Sequence, residues 1–174
     1  MNEIINAICT RRSIRKFKKD AIPSELLEQI LTAGTYAPTA MNRQSPIILA
    51  VTDPSVRDEL SRLNASVMGS SGDPFYGAPA VLVVLANKNC PNRVYDGSLV
   101  MGNLMLAAYS LGIGSCWIHR AKEVFELPEG KALLHRLGVE GEYEGIGHCI
   151  LGYPDGKIPQ PQPRKENWVY FAEK

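Results

Sequence analysis

A chain of 174 residues with 45% apolar and 21% charged side chains has ordinary globular composition and the length of one domain. It is long enough to bury a core without a disulfide framework or structural metal. Nineteen Lys and Arg against eighteen Asp and Glu leave a net charge of +1, which excludes a nucleic-acid module built on a large basic excess.

In chain order, Asn2 is a cap candidate, and Ile4, Ile5 and Ile8 at helical spacing predict a first helix ending near Arg11. The basic segment "TRRSIRKFKKD", Thr10 to Asp20, follows that helix end. "IPSELLEQILTAG" predicts a second, amphipathic helix, started by Pro23 and Ser24 and stopped by Gly34. "YAPTAMNRQSP" reads as an ordered loop braced by prolines, and "IILAVT" as a buried strand. Asp53 as cap with Pro54 at the first position predicts a third helix. The Gly/Ser-rich stretch over 64–79 that follows is expected to be mobile.

"AVLVVLA" is the clearest buried strand. Asp96 is a candidate cap for a helix that runs to Gly112 and is apolar on nearly every side. Such a helix is buried all round or lies between two subunits. "GSCWIH" and "GIGHCILGY" predict two further strands, with "PEGKALLHRLG" a short helix between them. The proline-rich tail from about 154 predicts an extended arm. Helices and strands intersperse without strict β-α-β alternation, and neither G-x-G-x-x-G nor G-x-x-x-x-G-K-[ST] occurs. An α+β fold on a mostly antiparallel sheet is therefore expected.

Cys9, Cys90, Cys116 and Cys149 are widely spaced, with no C-x-x-C pair or zinc pattern, so reduced thiols and no metal are expected. No apolar run is long enough for a bilayer, and the first residues lack a secretory pattern; the expected compartment is the cytoplasm. His119, His135 and His148 fall in separate elements, and no carboxylate pair is placed together by spacing, so no conventional acid-base machinery is expected.

Three polar clusters could bind a ligand. Arg11, Arg12, Ser13 and Arg15 offer guanidinium forks and a hydroxyl suited to a compact phosphate; the alternative is a solvated basic strand covering a sheet edge. Thr39, Asn42 and Gln44 on the proline-braced loop suit the edge of a flat heteroaromatic ring, or are ordinary loop polarity. Arg164 and Lys165 form either a cationic clamp on the stiff arm or a charged tail.

Together, "RRSIRKF", "PSELLEQILTAGTYAPTAMNRQS", the apolar helix, "LGIGSCWI", "ILGYP" and "PRKE" resemble the nitroreductase family of FMN-dependent oxidoreductases over nearly the whole chain. The resemblance implies a three-layer α+β sandwich, its mostly antiparallel central sheet flanked by helices. It also implies one domain over 1–174 and an intertwined homodimer with two FMN sites at the subunit interface. By the family pattern, Arg11 and Ser13 hold the FMN phosphate, Arg12 lies along the ribityl chain and Arg15 approaches the pyrimidine edge. Pro38, Thr39 and Asn42 reach the ring from the partner subunit. Cys116, Trp117 and Ile118 border the ring through their backbone, and Arg164, with Lys165, is the late phosphate-binding cation.

The implied chemistry is hydride transfer from NADH or NADPH to flavin N5, then electron transfer to a nitroaromatic, quinone or similar small acceptor in a ping-pong cycle. The flavin, rather than a catalytic side chain, carries it. Alternatives on the same fold are dehalogenation, flavin fragmentation, peptide dehydrogenation, or a flavin-binding redox module with little turnover. The chain departs from the pattern in two places. "SCWIHR" lacks the proline and acidic residue that some relatives place beside the ring, and the 64–79 stretch lacks their flavin-contacting Asn and Lys.

Overall fold

Asn2 starts the first helix because its Oδ1 accepts from the Ile5 N–H at 2.9 Å, satisfying one of the helix's free donors. In this computed structural model, which describes residues 1–172, α1 spans Glu3–Thr10, α2 Ser24–Thr35 and α3 Pro54–Val67. Asp53 caps α3 through the Ser55 and Val56 N–H groups, as its position before Pro54 predicts. Further along come α4 over Arg93–Ser110, α5 over Ala121–Glu126 and α6 over Pro128–Arg136.

Four strands, β1 Pro46–Val51, β2 Ala80–Asn87, β3 Gly114–Ile118 and β4 Tyr143–Gly152, form one sheet in the order β1-β2-β4-β3, every pair antiparallel. Alternation along β2 divides the core. Val81, Val83 and Leu85 face one layer with Leu60 of α3, Val124 and Phe125 of α5 and Leu133 of α6. Leu82, Val84 and Ala86 face the other with Ile30 of α2 and Met101 and Leu104 of α4. This is the expected three-layer α+β sandwich. Burying each such Val, Leu or Phe stabilises the fold by roughly 1.5–3 kcal/mol.

Several local expectations are corrected. Gly34 does not stop α2. It is buried inside the helix, where a Cβ would lie 2.6 Å from Leu104 Cδ2, so it sets how closely α2 approaches α4. The "IILAVT" strand lies at the sheet edge and is only partly covered. Asp96 is not the cap of α4; the helix begins earlier, after Asn92, and Asp96 is buried in its first turn. The expected mobile stretch is anchored: α3 continues to Val67, Asn64 and Ala65 are buried in it, and Phe75 is wholly buried. Asp73 holds this segment, accepting from Ser61 Oγ at 2.6 Å, from the Phe75 and Gly77 N–H groups at 2.9 and 2.7 Å, and from Arg57.

The apolar helix is α4, packed against α2, the end of α1 and all four strands. One stripe of it stays open, with Tyr95 71% and Leu99 48% exposed beside Val94. From Gly156 to Ala172 the arm has no helix or strand and is exposed. Among the described residues no helix is long and apolar enough to cross a membrane.

Candidate functional site

The basic segment leaves α1 at Arg11 and runs extended beside β3, the edge strand opposite β1. Ser13 bridges Ser115 in parallel, the Ile14 N–H donates to the Ser115 carbonyl at 2.9 Å, and Phe17 bridges Pro154. Ile14 and Phe17 are its buried anchors. The segment therefore covers a sheet edge, as a basic edge strand would, and also presents cations inward. Arg11, Arg12 and Ser13 are half-buried, whereas Arg15, Lys16, Lys18 and Lys19 are exposed, with Lys16 paired to Asp155 at 2.8 Å.

Arg12 folds its Nη1 back onto the Cys9 and Arg11 carbonyls, at 2.8 and 2.7 Å, where the end of α1 favours a cation. Its Nε, the Nη1 of Arg11 and the Oγ of Ser115 are buried and find no hydrogen-bond partner among the described residues. All three residues line one cavity of about 80 Å³, with Tyr109, Gly112 and Gly114. Gly114 permits the close approach, because a Cβ there would sit 3.0 Å from both Ile14 Cγ1 and Pro154 Cγ. Buried donors left without partners cost free energy unless an acceptor meets them. Two guanidinium groups and a hydroxyl around one cavity fit a compact anion such as a phosphate group.

The polar loop forms a 3-10 turn over Ala40–Asn42, with three non-glycine residues in the left-handed region: Met41 (φ 54), Asn42 (φ 52) and Gln44 (φ 49). Thr39 Oγ1 accepts from the Gln44 N–H at 3.1 Å, and Gln44 Nε2 donates to Asn42 Oδ1 at 3.1 Å. Pro38 and Asn42 are exposed and Thr39 is half-buried beside a cleft of about 420 Å³.

The strand registers set the two clusters apart. Ser13 sits beside Ser115, which aligns through Leu151 with Ala80 at the start of β2; the loop enters β1 at Pro46, opposite Ala86 near the end of β2. Three interstrand spacings of about 4.8 Å and about six residues of strand rise put the clusters at diagonally opposite corners, on the order of 25 Å apart.

The Cys116 side chain is buried in the core, so only its backbone can meet a ligand. Trp117 and Ile118 are half-buried, with Trp117 lying over Gly147. Arg164 donates to the Gln162 carbonyl at 2.9 Å and Lys165 lies 5.0 Å from the Trp168 ring, both on the exposed arm. The structure thus brings Arg11 and Arg12 to one cavity, places Ser13 next to them on its bridge to Ser115, and leaves Arg15, Arg164 and Lys165 facing solvent. Ser115 escaped the sequence reading. Its place in "GIGSCWI", between glycines and a buried Cys116, was the available sign. Among the described residues no group of three or more His, Cys, Asp or Glu could hold a metal.

A three-layer α+β sandwich with an anion cradle on its sheet edge is the class that fold and site define. The sequence model described as "Nitroreductase family" matches residues 8–74 and 69–153. A protein of Archaeoglobus fulgidus, provisionally named NADH dehydrogenase/NAD(P)H nitroreductase, is 34% identical over 160 residues, covering 88% of this chain and 87% of its own. A nitroreductase with bound FMN from Bacteroides fragilis superposes with a TM-score of 0.92 at 29% identity, over 99% of this chain and 100% of its own. Another with bound FMN, from Desulfitobacterium hafniense, gives 0.88 at 27%, over 98% and 99%. The chain belongs to the nitroreductase family and is an oxidoreductase.

Proposed function

We propose that this chain is an FMN-dependent NAD(P)H oxidoreductase acting in the cytoplasm as a homodimer, with residues 1–174 as one domain and a flavin at each subunit interface. The buried, unpartnered donors of Arg11 and Arg12 around the sheet-edge cavity carry this reading. Arg11 and Ser13, joined by Ser115, hold the phosphate; Arg12 lies along the ribityl chain; Arg15 brings a cation to the pyrimidine edge, where it favours negative charge. Backbone groups of Cys116, Trp117 and Ile118 border the ring, and Arg164 and Lys165 close over the phosphate from the arm. When bound, FMN supplies the redox chemistry, taking hydride from NADH or NADPH and returning electrons to a nitroaromatic, quinone or similar small acceptor in a ping-pong cycle.

The diagonal placement of cradle and loop supports the dimer. One mononucleotide cannot span a filled sheet, so Pro38, Thr39 and Asn42 serve a cradle on a second copy. Apolar surface for that contact is present on α1 at Ile4, Ile5 and Ile8, on the α4 stripe, and on the arm at Trp168, Tyr170 and Phe171.

The test is reconstitution with FMN followed by turnover. Yellow protein, quenched flavin fluorescence and oxidation of NADH or NADPH with a nitroaromatic or quinone are expected. Protein that stays colourless in excess FMN overturns the reading. Tight FMN binding without reduction by either nicotinamide would favour a redox module, and reduction with poor turnover of both acceptors a specialised reaction.

A further inference from the structure

Asp96 is 3% exposed, the most deeply buried charged side chain among the described residues. It lies in the first turn of α4, where free helix N–H groups favour negative charge. Its Oδ1 accepts from the Ala40 N–H at 3.0 Å, while its Oδ2 is buried and finds no partner among the described residues. Burying a carboxylate costs several kcal/mol, and one hydrogen bond with a helix end offsets only part of that. The fold thus gives up stability at this junction.

What the carboxylate holds is the polar loop. Ala40 opens the turn whose next two residues, Met41 and Asn42, are both left-handed, and Gln44 follows them. Non-glycine residues in that region cost on the order of 1 kcal/mol each and persist only where the surroundings hold them. The Thr39–Gln44 and Gln44–Asn42 bonds close the loop upon itself. The Asp96 bond ties it to α4, and a charged acceptor makes that tie about twice as strong as a neutral one.

We propose that Asp96 is a positioning residue of the flavin site: by gripping the Ala40 N–H it sets the shape of residues 38–42, and so the angle at which Thr39 and Asn42 meet the ring. This rests on the flavin reading of the loop.

Asp96→Asn keeps an acceptor near the Ala40 N–H, and Asp96→Ala removes it. In ¹⁵N-labelled protein without FMN, the Ala40 amide is expected to be shifted downfield and slow to exchange in the native chain. That signature persists in Asp96→Asn and is lost in Asp96→Ala. In reconstituted protein, Asp96→Ala is expected to bind FMN at least tenfold more weakly and to lower kcat, with Asp96→Asn within about threefold of native in both. If Asp96→Ala fails to fold, Asp96→Ser replaces it with the same expectations, because its shorter side chain suits a helix start but does not reach Ala40. Equal Ala40 protection in all variants, or FMN affinity unchanged when the acceptor is lost, overturns the proposal. If Arg11→Ala weakens FMN binding at least tenfold while Asp96→Ala binds as native, the positioning role falls and the flavin reading stands. Native protein that binds no FMN overturns both.

Discussion

Asn64 and His148 meet inside the helical layer. Asn64 Nδ2 lies 3.4 Å from His148 Nδ1 and donates to the His119 carbonyl at 2.8 Å, which places the imidazole between Phe75 and Phe125, with ring centroids 5.2 and 6.1 Å away. His148 is wholly buried, its Nε2 finds no hydrogen-bond partner among the described residues, and burial outweighs the backbone at Ile118 and His119, which favours its protonation, bringing its pKa from 6.5 down to about 4. The unfolded chain therefore takes up a proton below pH 6.5 that the folded chain refuses until about pH 4.

Stability is expected to fall as pH drops through that window, by about 1.4 kcal/mol per pH unit at full slope, with no contribution from this group above it. Urea midpoints measured from about pH 7.5 to about pH 4.5 check this. His148→Gln cannot titrate and should flatten the slope; an unchanged slope would count against the assignment.

Asp73 acts at lower pH. Burial raises its pKa, but bonds from Arg57, Ser61 and the Gly77 and Phe75 N–H groups outweigh burial and hold it below the ordinary 3.8. Its contribution is present above that value and is lost as pH falls below 3.8 toward the lower folded one. Asp73→Ala leaves four donors unmet and is expected to cost about 2–4 kcal/mol. Chymotrypsin cleavage at Tyr76, resisted by the native chain, should appear with the drop in melting temperature.

Within the cradle, Arg11→Ala should weaken FMN binding about tenfold to hundredfold, the value of a charge-assisted bond. Ser115→Ala should cost less, about threefold to tenfold. Lys18→Ala, on the exposed side, should stay within about twofold. Fluorescence titration of FMN ranks all three, and equal losses at Arg11 and Lys18 would refute the division of the basic segment.

A carboxylate on the open stripe of α4 tests the assembly. Leu99→Asp should shift the protein from dimer to monomer in size-exclusion chromatography and remove FMN binding with it. A monomer that binds FMN as tightly as the dimer contradicts a shared site.

Much of this was legible because start chemistry is local. Asn2 and Asp53 cap the helices their positions announce, and the short apolar runs "AVLVVLA" and "GIGHCILGY" named β2 and β4. What escaped was decided by distant partners. Gly34 looks like a helix stop until Leu104 is packed against it, and Asp96 looks like a cap until Ala40 comes within 3.0 Å. Gly/Ser content made the stretch over 64–79 seem mobile, because composition cannot show that one Asp73 will collect four donors. The α5 helix was missed because it is six residues long and starts from Arg120 in the left-handed region, without a side-chain cap. In the site, the arginines stood out by type, whereas Ser115 joins them only through pairing across the sheet edge.

The corner-to-corner arrangement of cradle and loop has a genetic consequence. In a shared site, a chain damaged at Arg11 and a chain damaged at Asn42 each fail alone. Mixed, they form dimers in which one site inherits both lesions and the other inherits none. Co-expression of the two variants should therefore restore flavin to one site per mixed dimer, whereas two variants altered in the same cradle cannot rescue each other.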